Sequence, residues 1–74
     1  MRFQSKKHGG GEMIQDSELG LKVLQARRVK GMSQTELARL LGFGYAAHIT
    51  RLERGRAIPV KMASKICKAL GVSF

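Results

Sequence analysis

The sequence has no tryptophan, a single cysteine, a single proline, three phenylalanines and one tyrosine in 74 residues. Cys67 alone excludes an internal disulfide, and with only two histidines, His8 and His48, far apart in the chain, no zinc cluster can be assembled. Acidic side chains are also scarce: five Asp and Glu face fourteen Lys and Arg, a net charge of +9. No apolar run approaches the roughly 20 residues that cross a bilayer, and the opening MRFQSKKHGGG has no apolar block behind its basic residues. The expectation is a cytoplasmic protein without membrane attachment. A chain this short has room for one domain and one modest core, burying about 60% of its unfolded surface, which disfavours an elaborate enzyme. The HGGG stretch lies in a polar tail with no nucleophile elbow around it, and no nucleophile–base or metal constellation is visible. No cofactor is expected.

What is abundant is positive charge. Residues 1–15 hold Arg2, Lys6 and Lys7 against Glu12, a net +2, whereas residues 16–74 hold eleven basic and four acidic side chains, a net +7. The charge therefore belongs mainly to the folded part, and it clusters at Arg51, Arg54, Arg56 and Lys61. Such an excess attracts polyanions; nucleic acid is the commonest inside a cell, and an anionic membrane surface is the rival. Charge alone does not choose between them.

Residues 1–15 are polar and interrupted by Gly9, Gly10 and Gly11, with too few apolar groups to offset ordering, and they predict a flexible basic arm. Beyond it, local signals predict four helices at about 17–30, 34–41, 45–54 and 60–70. Asp16 or Ser17 caps the first, which carries Leu19, Val23, Leu24 and Ala26 and ends at Gly31. Ser33-Gln34-Thr35-Glu36 is a capping box that opens the second, with Leu37, Ala38, Leu40 and Leu41 as its apolar set and Gly42 as its stop. The third turns Ile49 and Leu52 inward and ends at Gly55. Pro59 stands before the fourth, where Val60, Ala63, Ile66, Cys67 and Leu70 recur at helical spacing and Lys61, Lys65 and Lys68 lie opposite. No stretch alternates with period two, so the predicted fold is all-α: a compact four-helix domain with no sheet.

Two short helices joined by a tight glycine turn describe a helix-turn-helix, whose second helix fits a DNA major groove while the first aims its N-terminus at a phosphate. The run LQARRVKGMSQTELARLLG, followed by ITRLERGR and KALGV, resembles the helix-turn-helix domain of phage repressor and Cro proteins, the XRE family, over about residues 19–73. The resemblance implies a lambda-repressor-like fold and a sequence-specific regulator of double-stranded DNA, a repressor by expectation, that reads the groove with the helix at about 45–54. It implies base contacts at Ala46, Ala47 and Arg51, flanked by Tyr45 and His48. Phosphate contacts follow for Gln34, Thr35, Thr50, Arg54, Arg56 and Lys61, and a structural salt bridge for Arg27 with Glu53. Arg51 is the leading base reader, since arginine reaches both acceptors of guanine while alanine offers only a methyl contact to thymine.

The chain departs from the family pattern at FGY, residues 43–45, which holds one extra turn residue. Counting back from Ile49 selects Ala46 and Ala47; counting forward from Gly42 promotes Tyr45. The family's frequent fifth helix has no counterpart here, so Val72, Phe74, Ile58 and Met62 form either a small homodimer patch or the cap of a monomer's core. A second function of another class is an antitoxin that holds a toxin protein while repressing its own operon. Arg2, Lys6 and Lys7 either reach a neighbouring groove or have no role.

Overall fold

A computed structural model describes residues 12–74. The first eleven residues of the expected arm lie outside the described residues. The Asp16 carboxylate accepts the Leu19 N–H at 3.0 Å and starts helix α1, Ser17–Val29. At its other end the Lys30 N–H still reaches Ala26 O, and Gly31 turns away at φ 69°, so the helix closes one residue before the expected boundary. Both halves of the capping box form at α2, Gln34–Leu40: Glu36 N–H donates to Ser33 Oγ at 3.0 Å and Ser33 N–H to Glu36 Oε1 at 2.8 Å. Leu37 and Ala38 are buried and Leu41 is half-buried, but Leu40, the remaining member of the apolar set, is 65% exposed. At 3.6 residues per turn Leu40 stands about 110° from the middle of the face that the other three define.

Gly42, at φ 75°, allows the chain to reverse so that Phe43 N–H reaches Ala38 O at 2.9 Å and Gly42 N–H reaches Arg39 O at 3.1 Å. This paired closure satisfies the last carbonyls of α2. Gly44, Tyr45 and Ala46 complete the turn, and helix α3 is Ala47–Glu53. It lacks the first two residues and the last of the expected 45–54: Tyr45 lies in the turn, Ala46 is the N-cap, and Arg54 is the C-cap, at φ −92° and ψ 4°. Helix α4 is Val60–Leu70, with the expected bounds, and buries Ala63, Ile66, Cys67 and Leu70 while Lys61, Lys65 and Lys68 stay exposed.

The expectation of no sheet is corrected. Strand β1, Met13–Ile14, pairs antiparallel with strand β2, Ile58–Pro59, in the register Met13 with Pro59 and Ile14 with Ile58. Two-residue strands are too short to show period-two alternation in a sequence. The pairing lets Ile14 pack on the core while Ile58 is wholly buried, which also removes Ile58 from the expected partner patch.

The helices surround a core whose fully buried members include Val23, Leu37, Ile49, Leu52, Ile58 and Ile66. Helices α1 and α3 meet at Gly20. A Cβ there would fall on the carbonyl oxygen of Leu52 and lie 3.4 Å from Glu53 Cα, so only glycine permits this approach. The helix that carries the candidate interface is thereby seated directly on α1.

Candidate nucleic-acid interface

Helix α3 has two unlike faces. Ile49 and Leu52 are fully buried, whereas Ala47, Arg51 and Arg54, on the opposite side, are exposed. A seven-residue helix with one small and one basic outward residue, followed by an exposed arginine at its C-cap, can approach another surface closely while presenting cationic donors at its C-terminal end. The Arg51 guanidinium lies along the following loop, where Nε donates to Ala57 O at 3.1 Å.

The other residues expected to touch bases occupy different settings. Ala46 is half-buried against the core, at the N-cap of α3. Tyr45 projects from the turn, 76% exposed. His48 is half-buried and stands edge-on to Phe43, with ring centroids 5.9 Å apart and planes at 80°. Its Nδ1 is buried without a hydrogen-bond partner among the described residues. Thr35, Arg39, Phe43, Gly44 and Tyr45 line a cavity of about 230 Å³ between α2 and the turn. Arg39 is not among the expected site residues; its place on the α2 face shared with Thr35, four residues earlier, is the signal that could have found it.

Behind α3 lies a polar network that crosses three helices. The Arg27 guanidinium meets the Glu53 carboxylate through both oxygens, Nε to Oε2 at 2.7 Å and Nη2 to Oε1 at 2.9 Å, and Nη1 donates to Met32 O at 2.8 Å. The Arg27 and Glu53 side chains are only 11% and 5% exposed. Hydrogen bonding to Glu53 raises the Arg27 pKa above its ordinary value, against an opposing effect of burial, so the arginine stays charged. Gln34 joins the same carboxylate, Nε2 to Oε1 at 2.9 Å, and its carbonyl oxygen accepts the Thr50 hydroxyl at 2.7 Å. The one proton of that hydroxyl is thus engaged inside the protein, and Gln34 keeps a single amide proton for anything outside. The sequence alone places Gln34 and Thr50 only at the surface, because a polar side chain reveals its partner only when the helices are placed.

Arg54, Arg56 and Lys61 are exposed and have no carboxylate partner among the described residues, Glu53 being held by Arg27. They extend the basic surface from the end of α3 through the loop to the start of α4. A capped short helix, a glycine turn and a second short helix with its inner face locked to the first define a helix-turn-helix protein.

The family model for helix-turn-helix domains matches residues 23–74. The chain belongs to this family, of the Cro/C1 or XRE type, and is a DNA-binding transcription regulator. None of the curated proteins matches the chain. No helix among the described residues is long and apolar enough to cross a membrane.

Proposed function

We propose that this protein is a sequence-specific repressor that places α3 in the major groove of double-stranded DNA. Arg51 reads guanine there, and Ala47 rests against a thymine methyl. The observation that carries the reading is the division of α3 into a buried Ile49–Leu52 face and an exposed Ala47–Arg51–Arg54 face. To read a base, Arg51 gives up its solvent-exposed bond to Ala57 O, a cost of about 1 kcal/mol that a bidentate guanine contact exceeds.

Thr35, Arg54, Arg56 and Lys61 grip phosphates, and Gln34 adds its remaining amide proton while bracing α3 through Thr50 and Glu53. Tyr45, in the turn, reaches the backbone beside the groove rather than its floor. Repression needs no further surface, since occupancy of a promoter is sufficient to exclude a competing protein. Titration of the protein with its own upstream DNA and with a scrambled duplex, at two salt concentrations, tests the proposal. The expected result is a preference of about 10³ or more for the upstream duplex. Equal affinity for both would refute it and leave a general polyanion binder.

A further inference from the structure

The turn that holds the extra residue borders an open cavity beside α2. Its lining brings together three side-chain donors, the Arg39 guanidinium and the hydroxyls of Thr35 and Tyr45, with Phe43 and Gly44, around a volume of about 230 Å³. Thr35 and Arg39 stand four residues apart on one exposed face of α2, and exposed Tyr45 lines the cavity from the turn. No acidic side chain lines it among the described residues. Glu36, one turn before Arg39, is turned back to accept the Ser33 N–H at 2.8 Å, so the guanidinium has no carboxylate partner among those residues.

Gly44 keeps the cavity open. It is not one of the glycines at positive φ, and a Cβ built on it would meet no atom within 4 Å. Neither the backbone conformation nor packing inside the domain therefore demands glycine here. What the missing side chain provides is room for a group that arrives from outside.

We propose that this cavity seats a phosphate of the DNA backbone, with Arg39 as its cation, on the edge of the major groove opposite the one gripped by Arg54, Arg56 and Lys61. The inference rests on the proposed seating of α3 in the groove for where the duplex lies. A guanidinium with two hydroxyls and no carboxylate suits an anion: the planar fork of arginine takes two phosphate oxygens together, and the hydroxyls donate to the rest. Position names the strand. The seven residues of α3 span about 10 Å, close to the groove width of about 12 Å. The cavity adjoins the start of α3 through Ala46, its N-cap, whereas Arg54, Arg56 and Lys61 follow its end. Cations at both ends of a helix about as long as the groove is wide bear on both of its edges. A grip at the C-terminal end alone would let α3 pivot; the second anchor fixes its tilt over the bases.

The test compares wild type with R39A and Gly44→Leu on the upstream duplex over a range of salt, with matched melting curves. R39A removes the cation, and Gly44→Leu fills the cavity while leaving Arg39 in place. For R39A the dependence of log K on log salt should become shallower by about 0.9, with upstream and scrambled duplexes weakened by the same factor. Gly44→Leu should weaken both by about tenfold, the loss expected for a displaced charge-assisted hydrogen bond. Duplexes carrying one neutral methylphosphonate at each position in turn identify the phosphate. Wild type should lose affinity at a position to which R39A is indifferent, on the edge opposite the position to which Lys61→Ala is indifferent. An unchanged slope in R39A, wild-type binding by Gly44→Leu, or both positions on one edge would overturn the inference. A wild-type protein with no preference between duplexes overturns the α3 reading instead. In that case a shallower slope in R39A still upholds the cavity as a phosphate site, and an unchanged one rejects it as well.

Discussion

Glu53 is the residue on which the placement of α3 turns. It accepts two hydrogen bonds from Arg27 and one from Gln34 while almost wholly shielded from water. Arg27→Ala would strand that carboxylate and should lower stability by about 3–5 kcal/mol, read as a fall in the thermal midpoint. Arg51 is exposed and bonded only to a loop carbonyl, so Arg51→Ala should leave the melt nearly unchanged. It should instead reduce discrimination between sites by about 1–3 kcal/mol, whereas Lys61→Ala should weaken all duplexes alike. If Arg51→Ala weakens every sequence equally, the side chain grips phosphate. Burial pushes the Cys67 thiol pKa up, which disfavours the reactive thiolate in the folded protein. A thiol reagent at neutral pH should label Cys67 slowly in the native state and rapidly in denaturant; rapid native labelling would show that α4 opens readily. Above the ordinary thiol value of 9.0, the unfolded chain ionises first, so this group makes stability fall as pH rises.

At the scale of elements, helix starts and stops were legible where the signal is local. Asp16, Ser33 with Glu36, and Pro59 act within one turn of the chain, and the resulting bounds of α1, α2 and α4 differ from expectation by one residue at most. The start of α3 was not legible in the same way. Ala46 makes no side-chain cap, and the number of residues in the turn depends on how Gly42 closes α2. Tyr45 consequently stands outside the helix, although it is adjacent to the residues that face outward from it. Leu40 is the opposite case: its exposure follows from helical spacing, which turns it away from the face of Leu37, Ala38 and Leu41. Gly20→Ala tests the closest helix contact. The added methyl would strike Leu52 backbone rather than a movable side chain, and the loss should be about 1–3 kcal/mol or more in denaturant unfolding. Retention of full stability would mean that α1 can withdraw from α3 without cost.

Across the whole molecule, charge and topology combine. Arg54, Arg56 and Lys61 are brought together at the end of α3, its loop and the start of α4, and three phosphate contacts by these cations would give a salt slope of about −3. A slope near zero would show that binding does not depend on this surface. The candidate interface was legible as a set of basic residues and, through its family motifs, as a helix-turn-helix; the inner network was legible only in its Arg27–Glu53 part. Gln34 and Thr50 gained their internal roles when α2 and α3 were brought side by side.

The sequence by itself determined the helical class, the capped and glycine-ended helices, the basic excess and the family. These depend on composition or on contacts within a few residues. The tertiary structure decided the phase of α3, the burial of Ile58 and the pairing of Met13–Ile14 with Ile58–Pro59. Each of these joins segments distant in the chain, where no local preference can choose the partner and only the geometry of the shared core does.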